Sequence, residues 1–292
     1  MRKTQKIIFV LSSFFAFVST VWGQANVKID VFELARNGTP AQIKAAIKAG
    51  TDFNVRDEDF DLGSEPGETP LYAATSFNHN PEIIRILIQH GLDANDCAGY
   101  YKSSYTPLYN AIEYGNIEAV KELLKHGADP IEVGTSTVSS FKEIIDLRDE
   151  NDDYIVAPNK LDDETAKIIV ESLVNAGGNL NKQWFSEDET INFLTYDNWE
   201  EYSNLEKDFL RSSTTALMFA VRADDSFLVN LFLDLDADPT LQNLEKKTAL
   251  DYAIQLPYNS KIKTSEIFEK LKSATEFYNL RLKTKSKKEK LR

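Results

Sequence analysis

Apolar residues recur along this chain in pairs of short helical patterns, each pair followed by a polar stretch. In "TPLYNAIEYGNIEAVKELLKHGADP", from Thr106 to Pro130, Leu108, Ala111 and Ile112 fall on one face of a short helix. Ile117, Val120, Leu123 and Leu124 form a stripe on a second. Thr106 suits the cap of the first helix, and Pro107 its first position, where no amide bond is lost. Gly115 can end that helix in a left-handed conformation, Asn116 can cap the next, and Gly127 terminates it. The segment therefore predicts a helix–turn–helix followed by an extended finger. One such pair cannot bury its own apolar stripe, so copies must stack.

Copies are present. "TPLYAATSFNHNPEIIRILIQHGLDAN" starts at Thr69, "TALMFAVRADDSFLVNLFLDLDADPT" at Thr215 and "TALDYAIQLP" at Thr248. Two degenerate copies start at Val31 and at Ser140, the second continuing from Asp163. Self-similarity at this period marks a solenoid. The pattern resembles the ankyrin repeat, whose T-P-L-H-x-A opening and H-G-A-D close are seen here with departures. His90-Gly91 and His126-Gly127 match the close, as does "DADP" at Asp236–Pro239. Tyr72, Tyr109, Met218 and Asp251 stand where the family's first histidine sits, which removes the usual threonine–histidine bond. The resemblance implies an all-α ankyrin-repeat solenoid of about six units, spanning residues 26–280 and acting as a protein-binding scaffold.

Two stretches break the spacing. An insertion at 182–213 is acidic and rich in aromatics, among them Trp184 and Phe185. Large aromatics beside carboxylates suit a recognition surface, although Trp199, Tyr202, Leu205 and Phe209 have the spacing of a helix that folds back onto the repeats. The finger at 57–68 places Asp57, Asp59, Asp61 and Glu68 at positions 1, 3, 5 and 12 of a calcium loop. Leu62 stands where that loop needs glycine and Pro66 intervenes, so a solvated acidic fingertip is the expectation.

The N-terminus departs from the repeat pattern altogether. Arg2, Lys3 and Lys6 precede the run "IIFVLSSFFAFVSTV", and small residues follow in "VWGQA". That order predicts a signal peptide over 1–25 and an exported protein, periplasmic or extracellular. The run is too short and too interrupted by Ser and Thr to predict a membrane span in the mature chain. Cys97 is single, so no intramolecular disulfide can form and packing must supply the stability.

Net charge is −13. Residues 1–25 carry +3 and the tail 281–292 carries +6, which leaves −22 on the body. Such a field disfavours nucleic acid and favours basic partners. The basic tail is expected to be disordered, and it supports an alternative role as a cell-envelope-associated structural or adhesion protein. No phosphate-binding glycine loop, G-x-S-x-G, H-E-x-x-H or C-x-x-C occurs. Of His79, His90 and His126, the last two recur with the repeat, and a residue that recurs with the repeat serves the fold. The reading is a monomeric, non-enzymatic scaffold with no catalytic, metal or cofactor residues and a protein partner.

The resemblance also implies where that partner sits: on the finger tips and the outward positions of each first helix, lining a concave face. Mapped onto this sequence, the first helices offer Ala73, Ser76 and Phe77; Asn110, Glu113 and Tyr114; and Phe219, Arg222 and Ala223. The fingers offer Arg56, Phe60, Tyr100, Tyr101 and Lys102, and the insertion adds Trp184 and Phe185.

Overall fold

The computed structural model describes residues 29–57, 67–96, 106–130, 140–148, 160–183 and 214–289. The expected signal peptide at 1–25, the finger tips at Phe60 and at Tyr100–Lys102, and the aromatic insertion residues Trp184 and Phe185 lie outside the described residues. Among those described, the chain is helical and without strands.

Helices come in pairs: α1 (Val31–Asn37) with α2 (Pro40–Lys48), α3 (Pro70–Phe77) with α4 (Pro81–Gln89), and α5 (Pro107–Glu113) with α6 (Ile117–Lys125). α7 (Ser140–Asp146) and α8 (Asp163–Asn175) form the fourth pair, and α9 (Ala216–Arg222) and α10 (Ser226–Asp234) the fifth. α11 (Ala249–Gln255) leads through the short α12 (Lys261–Thr264) into α13 (Ile267–Glu289). The first helices stack in one row, α1 on α3, then α5, α7, α9 and α11. The second helices α2, α4, α6 and α8 stack in another, and α13 packs on α10, α11 and α12. The ankyrin-type solenoid of six units is thus present, with α13 covering its last unit through buried Ile267 and Leu271.

The caps follow from sequence. Thr39, Thr69, Thr106, Thr215 and Thr248 each accept the amide three residues on, with Pro at the first helical position after Thr39, Thr69 and Thr106. Replacing the family's histidine leaves this backbone bond intact at Tyr72 and Tyr109. Asp251 goes further, because its Oδ2 accepts from both Thr248 N and Thr248 Oγ1, completing a capping box. Gly115 (φ +60) and Gly127 (φ +89) close α5 and α6 in the left-handed region.

Side chains bind one unit to the next. Asn78 Nδ2 donates to Ala35 O and Gly38 O at 3.0 and 3.2 Å. Asn116 Nδ2 donates to Thr75 O and Asn78 O at 2.9 and 3.2 Å, while its Oδ1 caps α6 at Ala119 N. A second ladder joins the fingers, where Asn95 Oδ1 accepts from Asp129 N (2.8 Å) and Asn181 Oδ1 from Asp238 N (2.7 Å). The Asn181 bond spans the insertion, so the fourth and fifth units meet despite the residues between them. The rings of Phe141 and Phe232 meet edge to face at 6.2 Å across the same joint.

The C-terminal basic run differs from the disordered tail that its charge predicts, since α13 continues to Glu289. No Gly or Pro interrupts Ile267–Glu289, and Leu, Lys and Glu sustain a helix there.

Candidate functional site

Two of the three histidines and the base of the acidic 57–68 finger are settled into the frame by the geometry. His126 Nε2 lies 3.1 Å from Glu122 Oε1 at the end of α6, and His90 meets Phe53 edge to face at 6.3 Å. Among the described residues no group of three or more His, Cys, Asp or Glu is arranged to hold a metal. The base of the 57–68 finger is closed by Asp57 N donating to Glu68 O, and Glu68 is paired with Arg36. Arg56, expected as a partner contact, is held at that base by Asp96 and by Gly67 O.

Counting from each capping threonine of the first-helix row sorts the remaining candidates. The position four residues on holds Ala73, Asn110 and Phe219, and all three are buried. Asn110 and Phe219 therefore do not face outward, nor does Ala73. Asn110 is only 1% exposed, because Nδ2 reaches back to Tyr72 O (3.1 Å), Thr75 Oγ1 (2.8 Å) and Ser76 Oγ (2.6 Å) of the preceding unit. That position faces the neighbouring helix, and a stack leaves it no room for a partner.

Seven and eight residues on, the row opens. Phe77 is 55% exposed, and its ring meets that of Tyr114 edge to face, centroids 5.0 Å apart. Glu113, beside Tyr114 at the end of α5, is half-buried, and burial raises its carboxyl above the usual glutamate range. Burial also raises the Tyr114 phenol, and the Glu113 charge adds to that. The structure thus brings Phe77, Glu113 and Tyr114 into one patch contributed by two units.

Arg222 occupies the seventh position of the fifth unit, where its guanidinium lies over the Tyr252 ring at 5.3 Å. Lys247 approaches the same ring at 5.5 Å, and Asn243 Nδ2 donates to the Tyr252 hydroxyl at 2.7 Å. Sequence reading missed Tyr252 and Lys247. The signal was available, since Tyr252 lies in the same register after Thr248 as Asn110 does after Thr106. The first-helix row thus carries an aromatic–acidic patch on the second and third units and a cationic–aromatic one on the last two.

Comparison with known proteins agrees with this architecture. A family model described as ankyrin repeats (3 copies) matches residues 31–133. Among solved structures, an ankyrin repeat domain from Acinetobacter baumannii AYE superposes with a TM-score of 0.54 at 22% identity, covering 84% of this chain and 96% of that one. A phosphate-system positive regulatory protein of Saccharomyces cerevisiae is 36% identical over 62 residues, 21% of this chain. A BRCA1-associated RING domain protein of Caenorhabditis elegans is 33% identical over 93 residues, 32% of this chain. The matched regions span 5% and 12% of those two proteins' own lengths.

Proposed function

From the premise that this is an ankyrin-repeat protein, a kind of module that generally mediates protein–protein interaction and is typically non-enzymatic, we propose that the chain is an exported scaffold. It holds one protein partner non-covalently on the outward ends of its first helices. The observation that carries this reading is the Phe77–Tyr114 pair. Phe77 is 55% exposed at the end of a first helix, and its contact with the partly exposed Tyr114 ring of the next unit joins two large aromatics into one surface, the kind of side chain that anchors protein interfaces. Arg222, at the seventh position of the fifth unit and stacked over the Tyr252 ring, extends the same row and supplies a second kind of contact. The mechanism is steric and electrostatic, with aromatic anchors in an acidic field.

Export rests on the order of charged, apolar and small residues in 1–25. Fusing those residues to a phosphatase that is active only outside the cytosol should give activity, and a silent fusion removes export from the proposal. For binding, affinity capture from the extracytoplasmic fraction followed by hydrogen exchange is the test. Protection should appear over 70–77 and 107–114, and protection confined to the second helices would place the partner elsewhere.

A second reading has one observation in its favour. Phe277 and Leu280 are each 62% exposed on α13, which runs on into the basic segment. An envelope-associated role through this helix predicts that deleting 281–292 releases the protein from envelope fractions, and unchanged fractionation removes it.

A further inference from the structure

Three carboxylates withdrawn from water in this stack, Glu68, Glu122 and Asp225, have cations facing them. Glu68 pairs with Arg36. Glu122 lies within 4.0 Å of Arg85, 3.5 Å of Lys125 and 3.1 Å of His126. Asp225 receives Arg148 at 2.7 Å. Taking a carboxylate out of water is costly, and a facing cation with good geometry offsets much of the cost. Glu113 is half-buried, yet no described residue gives it a hydrogen bond or an ion pair. Burial is what raises its carboxyl, and among the described residues no positive charge offsets it.

Beside it stands an exposed aromatic wall, Phe77 against Tyr114 at 5.0 Å. Elsewhere in this protein such rings carry cations. Arg148 lies over Phe227 at 4.9 Å, Arg222 over Tyr252 at 5.3 Å and Lys272 over Phe268 at 5.7 Å. Around the patch, the body's net charge of −22 attracts positive groups.

We propose that Phe77, Glu113 and Tyr114 form a subsite for one lysine or arginine side chain of the protein partner. The alkyl stem lies along the Phe77 ring, the charged head pairs with the Glu113 carboxylate, and the Tyr114 ring closes the side of the subsite. The aromatic face and the carboxylate act on the same cation, from two units of the stack at once. The inference rests on the reading of this row as the partner-binding face and names the chemistry that the face selects.

The test is selection of a randomised peptide-display library on the full chain. Recovered peptides should share a Lys or Arg at one fixed position. Their affinity should fall about tenfold or more on Glu113→Gln, and Glu113→Lys should shift the selected position to Asp or Glu. Thermal melts of both variants establish that each is folded. Peptides that lose affinity on Phe77→Ala with Tyr114→Ala, but show no basic position and ignore Glu113→Gln, overturn the cation subsite while leaving the docking face in place. Recovery of peptides that ignore all three residues, or of none at all, overturns both.

Discussion

The joint between the second and third units and the joint between the fourth and fifth solve one problem with different chemistry. In the third unit the cap of the second helix is Asn116, whose amide both caps α6 and donates back to Thr75 O and Asn78 O. In the fifth unit the same register holds Asp225, which caps α10 at Leu228 N. An ionised carboxylate only accepts, so it cannot reach back to a carbonyl. The preceding unit supplies the donor instead: Arg148 Nε gives to Asp225 at 2.7 Å, Nη1 to Leu161 O at 3.0 Å and Nη2 to Asp163 at 2.6 Å. Exchanging one amide for a carboxylate thus converts a neutral ladder into a charged fork. The fork sits where the long insertion enters the chain, so the least regular joint is also the one that depends on charge.

The largest effects come from cavities on either side of that difference. Leu123 and Phe232 are fully buried in the third and fifth units. Leu123→Ala should cost about 2–5 kcal/mol and Phe232→Ala about 3–5 kcal/mol. In a stack, stability is close to a sum of unit and interface contributions. Denaturant melts followed by probes in each half should then separate for the damaged half, and coincident transitions would show that the charged fork couples the halves as tightly as the amide ladder does.

Next come the joints themselves. Arg148→Ala leaves Asp225 without its charged partner and should cost on the order of 3 kcal/mol. Asn116→Ala strands one cap and two carbonyls and should cost about 1–3 kcal/mol. Raising salt to about 1 M should narrow the Arg148 effect and leave the Asn116 effect unchanged. Equal salt sensitivity would erase the distinction. Smaller still, Thr106→Ala should cost about 1 kcal/mol through the lost cap at Tyr109 N.

The smallest effects are in pH, and they have opposite signs in the two regions. Burial raises the Glu113 carboxyl, so the folded state holds that proton more tightly than the unfolded one does. Its contribution to stability falls as pH rises from the usual glutamate range through the raised value. Glu113→Gln should therefore raise the melting temperature slightly at neutral pH, with the difference vanishing in acid. Asp162, which caps α8, is held below the usual aspartate range by the backbone and side chain of Thr165. Its contribution is present above the unfolded value and is lost as pH falls through the lowered one. Asp162→Asn should thus lower the melting temperature slightly at neutral pH and lose its effect at strongly acid pH. Melting temperature against pH for both variants checks the pair of signs.

Much of the frame was legible in the chain. Thr106-Pro107, Gly115, Asn116 and Gly127 each encode a local backbone feature, and a local feature needs no knowledge of neighbours. The outward face was legible only in part. A helical wheel drawn for one unit shows Asn110 as polar and so assigns it to solvent, whereas its Nδ2 is spent on the unit before it. Phe77 kept its outward reading at 55% exposed, while Glu113 and Tyr114 are partly covered, Tyr114 by the Phe77 ring of the preceding unit. Arg148 was invisible as a joint, since its partner Asp225 lies 77 positions away, beyond the insertion. Tyr252 escaped because the register applied to three units was not carried to the last.

The central claim is that the seventh and eighth positions of the first helices, and not the fourth, hold the partner. The most direct measurement is the affinity of the captured partner for the wild-type chain and for Phe77→Ala combined with Tyr114→Ala, with thermal melts as the control for folding. A loss of about tenfold or more with little change in melting temperature is the predicted result. Unchanged affinity in the folded double variant contradicts it.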